Sequence, residues 1–380
     1  MFARMPILLV TSCLPKASPV TRFRLSWTVH HLGVLTAVLA LALSADAAAE
    51  STSARKPSSP AKKLTLAQTT QSKPTYSAAN AKARRTSVAR SRAAANAKAL
   101  RDAQEPRFKL DENGALVPDL RAEAAIIYDS ATGHVLWELN SNKERSIASI
   151  TKVMTAAVFM EDSPNLSDVV TVNLSDVRAA STTYLRSGYQ VTKGDLLHLT
   201  LIASDNAAAR ALARVSKYGS DAFIDRMNEK AKDLGLTNTH YEDPSGLLSS
   251  NVSSAYDMAK LITYVSGDER IASVMRKQHY QVAAGRRVIN IHSTNQLVMR
   301  GDVDVQAGKT GFIRNAGYCL ATLLRLPQGP QIAVVVLGAK SNAGRFWETR
   351  HLFNLFETKA QDLLGVAPVE ASELKPATAN

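Results

Sequence analysis

The sequence predicts an α/β fold in which helices flank one antiparallel sheet and an all-helical subdomain is inserted. Three observations lead to this prediction: strand patterns near both ends of the globular region, helical spacing between them, and no internal repeat. Strands far apart in the chain can share a sheet when the intervening helices form an insertion. The chain of 380 residues, 45% of them hydrophobic, is long enough for a sizeable core.

The individual elements are predicted from apolar spacing and turn residues. Ala124–Asp129 and His134–Glu138 flank a turn that contains Gly133, which is typical of a β-hairpin. Apolar residues at helical spacing predict the helices, and shorter apolar runs predict the later strands. These further elements are helices over 149–160, 194–218, 220–234 and 254–266, strands over 303–311, 316–325 and 331–338, and a final helix over 342–364.

The N-terminal segment has the pattern of a secretory signal peptide. Four basic residues and no acidic residue precede the apolar run Leu32–Leu43, which leads into an Ala-rich stretch. This run is short for a membrane span, which needs about 20 residues. We therefore expect residues 1–48 to be a signal peptide that is cleaved near Ala47–Ala49, with an uncleaved anchor as the weaker alternative. A mean hydropathy of −0.11 excludes a protein with many membrane spans.

A basic segment follows the predicted signal peptide. Residues 49–112 contain few large apolar side chains, so burial cannot offset their ordering entropy, and we predict a flexible linker. Twelve Lys and Arg and no acidic residue lie in 51–101, whereas 102–380 carry a net charge of −1. Two interpretations remain open: adhesion to anionic envelope polymers or a membrane surface, and a solvated spacer. A nucleic-acid partner is not expected, because Tyr76 alone could stack on a base.

The cysteines and histidines give no sign of a metal or cofactor. Two cysteines exclude a disulfide scaffold and a four-thiolate zinc site. Cys319 lies in an apolar run, where we expect a buried and inert thiol. The eight histidines show neither H-x-H nor H-E-x-x-H spacing, so we expect neither a metal nor a cofactor.

The first candidate catalytic pattern is Ser149-x-x-Lys152, at the start of a predicted core helix. Residues three apart adjoin on one helix face. A serine hydroxyl needs an adjacent base to become nucleophilic, and a lysine serves when burial and its neighbours lower its pKa. The pattern occurs four times in the chain, but only at Ser149 does it open a core helix.

Two further patterns follow at long intervals. Ser204-Asp205-Asn206 begins 55 residues after Ser149, and Lys309-Thr310-Gly311 begins 105 residues later in a predicted strand. A lysine there supplies positive charge, a threonine hydroxyl can bind a carboxylate, and glycine allows a substrate backbone to approach. Taken singly, the first triplet could be a helix cap and the second a turn.

In this order and spacing, the three patterns are the signature set of the penicillin-binding protein and serine β-lactamase superfamily. The segments Glu242–Leu247, Asn251–Ser254 and Asn315–Tyr318 resemble the low-molecular-mass D-alanyl-D-alanine peptidases of family S11. The resemblance covers about residues 113–365. It implies a DD-peptidase/β-lactamase-like fold and a serine peptidase that acts on peptidoglycan peptides in the bacterial periplasm, soluble or peripherally membrane-associated.

The resemblance also implies catalytic roles for three residues. Ser149 is the acylated nucleophile, Lys152 is its general base, and Ser204 relays a proton to the leaving amine. β-Lactams are then expected to acylate Ser149 as covalent inhibitors.

Five residues are implied to bind the substrate. Asn206 binds the substrate amide and orients the general base. Lys309 holds positive charge near the proton-relaying serine, while Thr310 and Gly311 line the substrate strand. Phe312 contributes its backbone N–H to the oxyanion hole, together with that of the nucleophile.

Each of the main alternative functions predicts one sequence feature that can be compared with this chain. A class A β-lactamase deacylates with a glutamate in E-x-x-x-N, but the candidate Glu242 is followed by Gly246 rather than Asn. A non-catalytic wall-binding protein would not need intact motifs. Carboxypeptidases of the family usually carry a second β-rich domain, whereas only fifteen residues follow Gly365 here, a predicted disordered tail over 366–380. We therefore expect an endopeptidase that cleaves cross-links, with a carboxypeptidase as the alternative.

Overall fold

A computed structural model of the chain describes residues 86–91, 93–94, 97–98, 101, 105–327 and 329–364. The predicted signal peptide, the basic segment up to residue 85 and the predicted tail over 366–380 lie outside the described residues. The residues described before position 102 are helical and exposed. No helix in the described ranges has the length and hydropathy that a membrane span requires.

The strands are numbered in chain order. They are β1 (Phe108–Leu110), β2 (Leu116–Pro118), β3 (Ala124–Asp129), β4 (Val135–Leu139), β5 (Arg145–Ser146), β6 (Val169–Thr171), β7 (Gln190–Thr192), β8 (Val252–Ser253), β9 (His279–Ala284), β10 (Arg287–His292), β11 (Asp304–Ile313), β12 (Gly317–Arg325) and β13 (Gln331–Ala339).

A 3₁₀ turn, Ala148–Thr151, precedes the first of the numbered helices. These are α1 (Lys152–Met160), α2 (Leu174–Val177), α3 (Lys193–Leu201), α4 (Asn206–Val215), α5 (Gly219–Asp233), α6 (Ala255–Ser266), α7 (Glu269–Met275), α8 (Gln296–Arg300) and α9 (Asn342–Leu364).

One antiparallel sheet joins both ends of the domain, as predicted. Its strand order is β11-β12-β13-β3-β4, so β3 of the hairpin β3–β4 pairs with β13, the last of the described strands. Side chains alternate between two cores: Ile126 and Val335 face the core that contains α1 and α6, whereas Ile127 and Val334 face the core under α9. Burial of both faces explains the nearly continuous apolar sequence of β12 and β13.

Helix α1 lies at the centre of the larger core. All nine of its residues are buried, which is expected of a helix surrounded by other elements on every side. Helices α4, α5 and α6 and the sheet supply the surrounding apolar side chains. The turn that precedes α1 is therefore held in place by packing, and that turn contains Ser149.

The prediction of one helix over 194–218 is wrong. The structure has two helices, α3 and α4, separated by a short segment in which Ser204 adopts a left-handed conformation with φ of +59°. Asp205 caps α4 by accepting the N–H of Ala208 at 2.9 Å. The break takes Ser204 out of regular helix and lets its side chain face the cleft described below.

Several strands and short helices lie where the sequence predicted none, namely β1, β2, β5–β10, α2, α7 and α8. Strand β1, which lies inside the segment predicted as linker, pairs with β2, so ordered structure begins before residue 113. The hairpin β9–β10 lies between the predicted elements at 254–266 and 303–311 and turns at Gly285, with φ of +62°. Its C-terminal strand leads directly to the cleft.

Candidate active site

The three sequence patterns meet in one cleft of about 510 Å³. The 3₁₀ turn before α1 brings Ser149, the break between α3 and α4 brings Ser204 and Asn206, and β11 brings the third pattern. The predicted site residues that line the cleft are Ser149, Ser204, Asn206, Thr310, Gly311 and Phe312. The two remaining predicted residues, Lys152 and Lys309, are buried and reach this group through hydrogen bonds.

The backbone around Ser149 is tightly confined. Ala148 has a positive φ of +50°, which is rare for a residue with a side chain. A Cβ on Gly246 would lie 2.0 Å from the Ala148 carbonyl oxygen, and one on Gly311 would lie 2.6 Å from that of Ile147. Two glycines from distant parts of the chain therefore pack against the turn that contains Ser149, and no larger residue fits at either position.

The amine of Lys152 has three polar neighbours. Its Nζ lies 2.9 Å from Ser149 Oγ, 2.6 Å from Asn206 Oδ1 and 2.5 Å from the Ser245 carbonyl oxygen. A neutral amine carries only two hydrogens. When these are donated to the two carbonyl oxygens, the lone pair points at the Ser149 hydroxyl. This is the geometry that a general base requires.

Burial sets the charge of Lys152. Loss of hydration lowers the pKa of Lys152 from its ordinary value to about 7, while the carboxylates of Asp243 and Asp205 oppose this decrease. Both protonation states are therefore populated near neutral pH. A lysine of this kind can accept a proton and return it.

A turn within Glu242–Leu248, to which the sequence analysis assigned no role in the site, holds the Ser245 carbonyl in place. The Asp243 carboxylate accepts the backbone N–H groups of Ser245, Gly246 and Leu248 at 2.6, 2.9 and 2.8 Å. The Asp-Pro-Ser-Gly sequence is turn chemistry, which was a usable signal. Glu242, the candidate base of a class A β-lactamase, is exposed and does not line the cleft.

Lys309 contacts the second motif. Its Nζ lies 2.9 Å from Ser204 Oγ and 2.9 Å from the Thr310 carbonyl oxygen. Burial, followed by the charges of Lys152 and Arg345, lowers the pKa of Lys309 well below its usual value. The positive charge expected on this residue is therefore weakened in the free site. A bound carboxylate would raise the pKa again, because an opposite charge favours the protonated amine.

The side chain of Asn206 is engaged at both ends. Its Oδ1 accepts from Lys152, and its Nδ2 donates to the Ala180 carbonyl oxygen at 2.7 Å. The amide nitrogen has a second hydrogen that can serve a substrate carbonyl. The neighbouring Asp205, which the motif leaves variable, is fully buried and accepts from Tyr184 N–H at 2.6 Å. It thereby anchors the loop that forms the opposite wall of the cleft.

The outer wall of the cleft is strand β11, which lies at the edge of the sheet. Phe312 is 51% exposed, and its ring stacks on Tyr318 with a centroid distance of 4.2 Å. Beneath this wall, the buried Arg345 donates to the carbonyl oxygens of Gly311 and Cys319 at 2.9 and 3.1 Å. The sequence analysis did not identify Arg345, since a lone arginine in a helix carries no signal.

The described residues contain no group of three or more side chains that could hold a metal ion. Cys319 is buried, as predicted, and burial raises the pKa of its thiol. A thiol in that setting is not a nucleophile.

Several known proteins are similar to this chain. The model of the D-alanyl-D-alanine carboxypeptidase family, peptidase S11, matches residues 111–341. The D-alanyl-D-alanine endopeptidase of Haemophilus influenzae is 33% identical over 258 residues, which cover 66% of this chain and 88% of that protein. The D-alanyl-D-alanine carboxypeptidase DacC of Escherichia coli is 35% identical over 260 residues, 63% of each chain. The crystal structure of the Streptomyces K15 DD-transpeptidase is similar with a TM-score of 0.58 and 28% identity, over 62% of this chain and 97% of that one.

Proposed function

Because the chain belongs to peptidase family S11 and is a serine D-alanyl-D-alanine peptidase, we propose that it cleaves peptidoglycan cross-links through an acyl-Ser149 intermediate. The observation that carries the proposal is the contact of Lys152 Nζ with Ser149 Oγ at 2.9 Å, made by a buried amine whose pKa is about 7. A base of this pKa is poised to remove the serine proton at neutral pH.

Acylation begins at the nucleophile. Neutral Lys152 takes the hydroxyl proton of Ser149, and Oγ bonds to the carbonyl carbon between the two D-amino acids. The carbonyl oxygen becomes an oxyanion, which the backbone N–H groups of Ser149 and Phe312 stabilise. Loss of one such donor typically costs about 3 kcal/mol of barrier.

The leaving amine needs a proton when the carbon–nitrogen bond breaks. Ser204 donates its hydroxyl proton to the amine, and the proton that Lys152 took from Ser149 replaces it, so that Lys152 is neutral again. The contact of Ser204 Oγ with Lys309 Nζ at 2.9 Å supports this role by holding the hydroxyl in place. Water then attacks the acyl carbon while neutral Lys152 takes a proton from it. Lys152 returns this proton to Ser149 Oγ as the acyl bond breaks, which frees Ser149 for the next cycle.

The substrate carboxylate binds next to β11. Lys309 supplies the charge and Thr310 supplies a hydroxyl, while Gly311 lets the peptide backbone approach. Since β11 is an edge strand, an extended peptide can align along it. β-Lactams carry a carboxylate beside the reactive carbonyl and acylate Ser149 in the same way.

The chain is similar to an endopeptidase along most of that protein's length. This similarity supports cleavage of cross-links rather than release of single D-alanine residues. The matched region spans 88% of the Haemophilus influenzae endopeptidase but 63% of the carboxypeptidase DacC. Removal of terminal D-alanine remains the second candidate, because the chemistry at the nucleophile is the same. Either activity requires export to the cell envelope, which the N-terminal sequence pattern supports.

Intact-mass spectrometry after incubation with penicillin tests the nucleophile. We expect one long-lived adduct on the peptide that contains Ser149 and none in Ser149→Ala. A matched control is Ser372→Ala, which removes the serine of another S-x-x-K pattern and should keep the adduct. Rapid turnover of penicillin without an adduct would contradict the proposal and indicate a β-lactamase.

Digestion of purified cross-linked dimers beside pentapeptide monomers tests the bond that is cleaved. Chromatography with mass detection should show dimers converted to monomers while the pentapeptides remain. Release of free D-alanine with intact dimers would replace the endopeptidase proposal with the carboxypeptidase.

A further inference from the structure

Thr294, which none of the three motifs includes, touches the substrate-binding strand inside the cleft. It follows β10, and its Oγ1 lies 2.6 Å from Thr310 Oγ1. Both side chains line the cleft. A distance of 2.6 Å between two hydroxyl oxygens is a hydrogen bond in which only one of them donates.

The backbone of Thr294 is held by other elements. Its N–H donates to the Ile202 carbonyl oxygen, at the end of α3, at 3.0 Å. The preceding Ser293 N–H donates to the Gln278 carbonyl oxygen at 2.8 Å. Hydrogen bonds to the end of α3 and to the segment before β9 therefore hold the backbone of Thr294 in place. A hydroxyl held in this way can orient the hydroxyl of Thr310.

We propose that Thr294 is a positioning residue that donates its hydroxyl proton to Thr310, so that the Thr310 proton points at the substrate carboxylate. This rests on the proposed function, in which Thr310 binds that carboxylate. A carboxylate can only accept hydrogen bonds, so Thr310 must donate to it when the substrate is bound. Thr310 can then no longer donate to Thr294, and the hydrogen bond between them must run from Thr294 to Thr310.

The direction of this bond determines which substrates depend on Thr294. A ligand with a free carboxylate gains from an oriented Thr310 proton. A ligand whose carboxylate is esterified has lost its negative charge and gains much less, because hydrogen bonds to charged groups are the strong ones. Removal of the Thr294 hydroxyl should therefore weaken selection for the free acid rather than catalysis in general.

The test compares acylation by penicillin with acylation by its methyl ester, followed by intact-mass spectrometry. Thr294→Val should lower the second-order rate constant for the free acid roughly three- to tenfold, the range of one hydrogen bond, and change that for the ester less than about twofold. Thr294→Ser, which keeps the hydroxyl, should retain the wild-type ratio of the rate constants for the free acid and the ester. Thr263→Val, which removes a hydroxyl bonded within α6, is the matched control and should change neither constant.

A double-mutant cycle with Thr310→Val separates this proposal from the proposed function. If Thr310 binds the carboxylate, Thr310→Val alone reduces the preference for the free acid, and adding Thr294→Val reduces it no further. If Thr310→Val leaves that preference intact, the proposed role of Thr310 is wrong. The role of Thr294 is overturned if Thr310→Val reduces the preference for the free acid but Thr294→Val does not. It is also overturned if Thr294→Val slows acylation by the free acid and by the ester equally. Thr294→Ala replaces Thr294→Val throughout if the melting temperature shows that the valine variant is not folded.

Discussion

At the scale of single residues, two buried lysines lie next to the cleft. Among the described residues, no carboxylate forms an ion pair with either of them. Lys152 and Lys309 each lose hydration, which favours the neutral amine. Their proposed tasks are nevertheless opposite. The general base must release its proton in the free enzyme, whereas the carboxylate-binding lysine must hold one when the substrate arrives.

Exchange of each lysine for arginine distinguishes the two tasks. A guanidinium does not lose its proton in this range, so Lys152→Arg should abolish acylation by penicillin, a loss of at least about a thousandfold. Lys309→Arg keeps a positive charge and should retain measurable acylation. The adduct formed over time, measured by mass spectrometry, checks both. Equal loss in the two variants would contradict the assignment.

The pH dependence of acylation follows from the same pKa values. Lys152 acts when neutral, so the rate should rise with pH through about 7 and fall away below that value. Lys309 binds the carboxylate when protonated, so the rate should fall again at higher pH, below the usual range of a lysine. Rates from about pH 5 to about pH 10 should give a bell-shaped profile. In Lys309→Arg the descending limb should disappear, since arginine does not titrate there; a limb that persists would rule out Lys309 as its source.

At the scale of elements, the sheet and the three motifs could be predicted, but the break between α3 and α4 could not. Apolar spacing runs without interruption through Leu201 and Ala203 to Ala207, so it predicts one helix. The break at Ser204 comes from capping by Asp205 and from contacts with a distant loop, which periodicity does not contain. The motif residues were recognisable because their order and spacing match the signature set of a known superfamily. The contact of Ser245 O with Lys152 and the contact of Thr294 with Thr310 join distant parts of the chain, and only the fold brings these partners together.

A pair of glycine variants tests the close packing on the turn that contains Ser149. Gly246 and Gly285 both have positive φ, +78° and +62°, but only a Cβ on Gly246 would meet backbone atoms, at 2.0 Å from Ala148 O. Gly285→Ala should cost about 1 kcal/mol of unfolding free energy from strain alone and leave acylation unchanged. Gly246→Ala should cost several times more and abolish acylation. Denaturant unfolding and adduct formation check both, and similar losses in the two variants would mean that the packing at Gly246 has no special role.

At the scale of the whole molecule, charge is divided along the chain. Residues 102–380, which contain the catalytic domain, carry a net charge of −1, whereas residues 51–101 carry twelve positive charges and no negative one. The S11 match begins at residue 111, after this basic segment. The charge is therefore not part of the catalytic machinery, and we propose that it attaches the enzyme to anionic material of the cell envelope.

A charge-neutral variant tests this attachment without changing the length of the chain. With the twelve Lys and Arg of residues 51–101 replaced by Gln, the protein should no longer sediment with isolated envelopes, while cleavage of soluble peptides stays unchanged. The unaltered protein should bind at low salt and detach as the Debye length falls from about 10 Å at 0.1 M to about 3 Å at 1 M, since screening weakens exposed charges. A control variant with the same residues in shuffled order keeps the charge and should bind normally, because attraction to a diffuse anionic surface does not depend on sequence. Binding that survives both neutralisation and high salt would leave the basic segment as a spacer only.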